Sequence, residues 1–160
     1  MVKPLSTLSH KLGDALRANK QTLAVAESCT GGLLAKAVTD IPGSSAYFMG
    51  GVVTYSNASK IKLLGVDVAT LERCGAVSEP VALRMAEGVC GLLDADIGVG
   101  ITGVAGPEGG SAERPAGTVY IAWDIQGALN VRLFQFGGIG RSAVREAAAE
   151  SAIEGILEAL

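Results

Sequence analysis

Hydrophobic and polar positions alternate along this chain with two periods, and the period changes mark its elements. Residues 5–19 place Leu5, Leu8, Leu12, Ala15 and Leu16 at helical spacing, with Lys11, Asp14 and Arg17 on the other side. Residues 22–27, TLAVAE, read as a short buried strand. Helical spacing returns over 31–40 and stops before Ile41-Pro42-Gly43. Residues 47–56, YFMGGVVTYS, are strand-like, and Gly50-Gly51 signals a bulge or a close backbone approach. Short helices are predicted at 57–64 and 67–73. A stronger one runs from Glu79 to about Leu93, with Ser78 as N-cap and Pro80 in the first turn. Residues 96–103 read as a buried strand, and a Gly/Pro-rich loop spans Val104 to Ala116. Strands at 117–125 and 129–136 flank the turn signal Gln126-Gly127. The last helix runs from about Arg141 to Leu160.

This order mixes crossovers with one hairpin. It predicts a single domain over residues 1–160. The fold class is α/β, a layered α/β/α domain with a mixed, mostly parallel sheet and helices on both faces. Ligands in such sheets sit beyond the carboxyl ends of strands, so the glycine- and hydroxyl-rich segments are expected to gather at one rim.

Composition narrows the chemistry. Apolar residues make up 49 % of the 160 and aromatics only 4 %, so the core must be built from Ala, Val, Leu and Ile. A net charge of −3 argues against a nucleic-acid platform. No apolar run is long enough to span a membrane, and the N-terminus lacks the pattern of an export signal. Cys29, Cys74 and Cys90 form no CxxC motif, so no zinc site is expected; an odd count fits a reducing cytoplasm. His10 is the only histidine, and it lies in the first helix. Any acyl-transfer chemistry would therefore need a base other than imidazole, and a desolvated lysine is the next candidate.

Five segments could carry chemistry. Glu27-Ser28-Cys29-Thr30-Gly31-Gly32 offers a hydroxyl where a strand enters a helix, and backbone N–H groups there favour negative charge. The same pattern also suits an N-cap serine with turn glycines. Cys29 is the alternative nucleophile, with no histidine to activate it. Tyr55 at a strand end and Lys60 in the next helix could point to one rim, as relay and base; Lys62 competes for the lysine role. Gly43-Ser44-Ser45 is a turn with two hydroxyls. Gly100-Ile101-Thr102-Gly103-Val104-Ala105-Gly106-Pro107, followed by Glu108-Gly109-Gly110-Ser111, lets amides approach an anion. Arg141 opens the last helix after three glycines and suits an anion, whereas Arg145 reads as solvent-facing. Glu27, Glu79 and Asp96 could pair, although nothing local brings them together.

Six stretches in order, AESCTGG at 26–32, PGSSAYF at 42–48, VVTYSNASK at 52–60, GAVSEPVA at 75–82, GITGVAGPEGG at 100–110 and RPAGTVYIA at 114–122, resemble the C-terminal domain of CinA, the competence-damage-inducible protein. Stand-alone members of that family are similar to nicotinamide-nucleotide amidohydrolase. The resemblance implies that the larger N-terminal domain of full-length relatives lies outside this chain. It also implies hydrolysis of the nicotinamide mononucleotide (NMN) carboxamide to nicotinate mononucleotide and ammonia, without metal or other cofactor. By the same resemblance the catalytic serine falls on Ser28, the tyrosine on Tyr55, the lysine on Lys60 and a substrate-binding arginine on Arg141.

Joined to the local chemistry, this predicts that Lys60 takes the Ser28 proton, with Tyr55 in the relay. Thr30 and Gly31 amides would hold the oxyanion. Ser44, Ser45, Thr102, Gly103 and Gly106 would join Arg141 around the ribose phosphate. The expected partners are a small-molecule nucleotide and further copies of the chain in a homo-oligomer. A non-catalytic nucleotide-binding module, or an oligomerisation domain using a sheet edge and the Ala-rich last helix, is the alternative.

Overall fold

The structure, a computed structural model, describes residues 3–160. In chain order the elements are α1 (Leu5–Asn19), β1 (Leu23–Glu27), α2 (Leu33–Thr39), a 3-10 turn at Ser44–Ala46, β2 (Phe48–Val53), α3 (Asn57–Leu64), α4 (Val68–Cys74), α5 (Glu79–Leu93), β3 (Ile97–Gly103), β4 (Thr118–Ile125), β5 (Ala128–Gln135) and α6 (Arg141–Ala159). Among the described residues the sheet has five strands in the order β2-β1-β3-β4-β5. Parallel pairing joins β1 to both β2 and β3, and β4 runs antiparallel to β3 and β5. The sheet is therefore mixed, with only β4 reversed. Gln126 and Gly127 both have positive φ, as the two-residue hairpin turn between β4 and β5 requires.

The two faces of the sheet are built from different residues. Leu23 and Val25 of β1 and Ile97, Val99 and Ile101 of β3 pack with leucines of α1 and alanines of α6. On the opposite face β1 presents Ala24 and Ala26, and β3 presents Gly98 and Gly100. The small side lets α5 settle almost onto the backbone. A Cβ on Gly100 would meet the carbonyl oxygen of Ala82 at 2.5 Å. The IGVGITG pattern of β3 thus records a thick layer on one face and a close helix on the other.

Two local expectations are corrected. Ser78 precedes α5 but does not cap it with its side chain; its hydroxyl instead donates to the Gly75 carbonyl at 2.8 Å. The Ala-rich face of α6 is not left for a neighbour. Ala148, Ala149, Ala152 and Gly155 are buried within the chain, and the Trp123 indole donates to the Ala152 carbonyl at 2.9 Å. The glycine signal in the second strand holds: the β1–β2 register slips beside Met49, and a Cβ on Gly51 would strike Val25 at 2.7 Å.

From β1 the chain crosses by α2 to β2 on one side. It then returns through α3, α4 and α5 to β3 on the other side. This reversal opens a crevice beyond the carboxyl end of β1, where ligands of open α/β sheets bind. Ser28 is the first residue beyond that end.

Candidate active site

Ser28 is fixed by the strand that precedes it. Its N–H donates to the Ile101 carbonyl of β3 at 3.0 Å, extending the ladder one residue past β1. The chain then turns through Gly31 and Gly32, whose φ of +62° and +102° a side chain would strain, and enters α2. Glu27 locks this turn from inside. Its buried carboxylate accepts from the Leu34 and Ala35 amides, at 2.9 and 3.0 Å, and so occupies the first turn of α2.

Lys60 approaches from the other side of the crevice. Ser56 caps α3 by accepting from the Ser59 amide, which sets the register that turns Lys60 inward. Lys60 is 1 % exposed and Ser28 is 8 % exposed. The Lys60 Nζ lies 3.0 Å from the Ser28 Oγ and donates to the Thr54 carbonyl at 2.7 Å. Among the described residues it joins no ion pair. Burial without a counter-charge disfavours the ammonium and lowers its pKa below the ordinary 10.5. A buried amine in contact with a hydroxyl is the arrangement expected of a base and its nucleophile.

The cavity in front of Ser28 holds about 270 Å³. Its rim carries Tyr55, Thr102, Gly103, Gly106 and Arg141, all anticipated from sequence. Arg141 donates to the Gly106 carbonyl at 2.9 Å and to the Tyr55 hydroxyl at 3.0 Å, so it bridges the two walls. Thr102 is buried and donates to the Ala76 carbonyl at 2.8 Å. Tyr55 is 60 % exposed, and its recorded partner is Arg141, not Ser28 or Lys60. Asn57, Val77 and Glu108 also line this cavity. The VVTYSNASK, GAVSEPVA and GPEGG stretches contained them, but no local pattern gave them a role or a direction.

Other expectations fail on geometry. Ser44 and Ser45 precede β2, and Tyr47 accepts from the amide of Leu23 at the start of β1. Within one chain they therefore lie at the opposite rim from Ser28, a β1 length of about 16 Å away. Strand direction decides this, and the sequence pattern did not contain it. Thr30 and Gly31 line a separate depression beside α6. The Gly31 amide is already spent on the Ser28 carbonyl at 3.1 Å, and α2's first amides on Glu27.

Cys29 is buried, which pushes its thiol up to about 12, so it is no nucleophile beside Ser28. Lys62 is exposed, which removes it as the competing base. Glu27 and Asp96 are held apart: Asp96 accepts from Thr22 at the amino end of β1. Arg145 is not solvent-facing. It is half-buried and its Nε donates to the Cys29 carbonyl at 2.8 Å. Its four-residue spacing from Arg141 was the available signal, since it puts both on one helix face. Among the described residues no group of three or more His, Cys, Asp or Glu side chains is placed to hold a metal ion, and no helix is long and apolar enough to cross a membrane.

Comparison with known proteins agrees with this fold. The family model described as the CinA C-terminal domain matches residues 5–160. The nicotinamide-nucleotide amidohydrolase PncC of Enterobacter agglomerans is 53 % identical over 148 residues, covering 92 % of this chain and 90 % of that protein. A putative competence-damage inducible protein of Moorella thermoacetica is 57 % identical over 132 residues, which cover 82 % of this chain but 32 % of that one. This chain thus spans about a third or less of several longer relatives. The crystal structure of the competence/damage inducible protein CihA from Agrobacterium tumefaciens superposes with a TM-score of 0.94 at 40 % identity, covering 96 % of this chain and 94 % of that one. With its fold and nearly its whole length matched, the chain belongs to the CinA C-terminal domain family.

Proposed function

We propose that this chain is a serine amidase that hydrolyses the carboxamide of NMN to nicotinate mononucleotide and ammonia. The observation that carries the reading is the 3.0 Å contact between the Ser28 hydroxyl and the buried Lys60 amine. The likeness to the Enterobacter agglomerans amidohydrolase supports the substrate.

In this mechanism neutral Lys60 takes the proton of the Ser28 hydroxyl while its own N–H stays on the Thr54 carbonyl. The serine oxygen bonds to the carboxamide carbon, and the carbonyl oxygen takes the negative charge. The C–N bond then breaks, and the proton held by Lys60 passes to the leaving nitrogen, which departs as ammonia. Water attacks the resulting ester with Lys60 again as base, giving the free acid and restoring Ser28. The oxyanion donors are assigned to the Ala105 and Gly106 amides, which line the same cavity. They replace the Thr30–Gly31 pair, whose Gly31 member is already bonded. Each such donor is typically worth about 3–4 kcal/mol. Arg141 holds the phosphate, for which it would leave two uncharged acceptors. Tyr55 positions Arg141 and does not relay the serine proton.

No step calls for a metal ion. The working form is proposed to be a cytoplasmic homo-oligomer, joined through the exposed apolar sheet edges at Met49 and Val53 or at Leu129 and Leu133. Sedimentation gives the subunit number, and chelation is expected to leave the rate unchanged. Ammonia release from NMN, nicotinamide and NAD, measured side by side, tests the main reading. NMN should be turned over, Ser28→Ala should not turn it over, and NMN should still raise the melting temperature of that variant. NMN binding to the parent protein without ammonia release would favour a binding module.

A further inference from the structure

Arg145 touches neither the nucleophile nor the cavity in front of it; the depression it lines lies behind the Ser28 turn, next to α6. Yet it holds that turn. Its Nε donates to the Cys29 carbonyl at 2.8 Å. Its guanidinium lies over Gly31, where an added Cβ would come within 3.5 Å of an Nη. Other bonds at residues 27–33 run within the turn, to α2, to the neighbouring strands or their ends, or, at the Ser28 hydroxyl, to Lys60 of α3. The Arg145 bond is the one from α6, and it grips the residue immediately after the nucleophile. Among the described residues Arg145 joins no ion pair, so no carboxylate competes for it. Its bond to the carbonyl is charge-assisted, roughly twice as strong as a neutral one.

We infer that Arg145 is a positioning residue for Ser28: by holding the Cys29 carbonyl from α6 it fixes the turn that delivers the serine hydroxyl to Lys60. This rests on the reading of Ser28 as the nucleophile. The reach needed is small, since a misplacement of about 1 Å costs about a hundredfold in rate. Arg141 and Arg145, one turn apart, thus divide the work of α6 between the front and the back of the crevice.

Arg145→Met and Arg145→Lys test it in the full chain, with two readouts. One is the rate at which a fluorophosphonate labels Ser28, followed by mass spectrometry; the other is the kcat and KM of ammonia release from NMN. Arg145→Met is expected to slow labelling and lower kcat by at least about tenfold, with KM held within about twofold. Arg145→Lys should recover part of both, because its ammonium can reach the same carbonyl. Labelling and kcat within twofold of the parent would overturn the inference. So would a raised KM with unchanged kcat, or a loss that follows a lowered melting temperature without recovery by lysine. A parent protein that labels but releases no ammonia from NMN would remove the proposed substrate and leave the labelling rates to decide on Arg145. A parent that does neither would overturn both.

Discussion

Two buried ionisable side chains stand on either side of Ser28, and their surroundings differ. Glu27 sits at the amino end of α2 with two amides aimed at its carboxylate. Lys60 sits in the first turns of α3 with one carbonyl and one hydroxyl and no opposing charge. The first arrangement ties the carboxylate to the helix by two hydrogen bonds and stabilises the fold; the second disfavours charge and prepares a base. One turn of chain therefore holds a group whose charge is matched beside one whose charge is left unmatched. Strain of the second kind persists only where the first kind secures the backbone around it.

The largest effect should come from removing the unmatched group. Lys60→Met deletes the amine but keeps the length of the side chain. Ammonia release should fall by about a thousandfold or more, the scale on which catalytic groups acting as a unit are lost. The same variant should melt about 2–4 °C higher, because a buried amine no longer has to be desolvated. Calorimetry showing a lower melting temperature would contradict the claim that Lys60 is held at a cost. Glu27→Ala should do the reverse. It leaves two amides of α2 without their charged acceptor, a loss of about 3 kcal/mol, or roughly 6–12 °C in melting temperature. Glu27→Gln should retain part of this. A melting curve for Glu27→Ala within a degree of the parent's would mean that the carboxylate does not anchor the turn.

The pH dependence sharpens the same contrast. Lys60 must be neutral to act, so kcat/KM should fall as pH drops through its lowered pKa and level off above it. Stability should move in the same direction. Between the lowered folded value and the ordinary 10.5, the unfolded chain binds one more proton than the folded one, so folding strengthens as pH rises across that window. Denaturant titrations of Lys60→Met should lack this rise. The smallest effect belongs to His10. It is exposed on α1, outside the cavity in front of Ser28. His10→Ala should leave the rate and the acid limb unchanged within about twofold, and a shifted limb would reopen the identity of the base.

Much of the local order was legible in the residues. Helix spacing, the Gln126-Gly127 turn and the small residues of β3 each follow from short-range sterics, so the pattern reports them directly. The family resemblance named Ser28, Lys60 and Arg141 together, and all three lie just beyond strand ends or at helix starts. The failures share a cause. Ser44 and Ser45 carry the right groups but sit before β2, and only the parallel pairing of β1 with β2 puts that end away from Ser28. Thr30 and Gly31 have suitable amides on paper, yet Gly31 folds its own back onto Ser28. Arg145 resembled any surface arginine until α6 docked beside the turn.

The sequence by itself determined the elements, the layered α/β class and the set of groups able to act, because period and side-chain size act over a few residues. Tertiary structure alone decided which end of each strand faces the crevice, which amides are already bonded, and that Lys60 meets Ser28 without a counter-charge. Those properties depend on strand order and on burial by distant segments, which no window of the chain encodes.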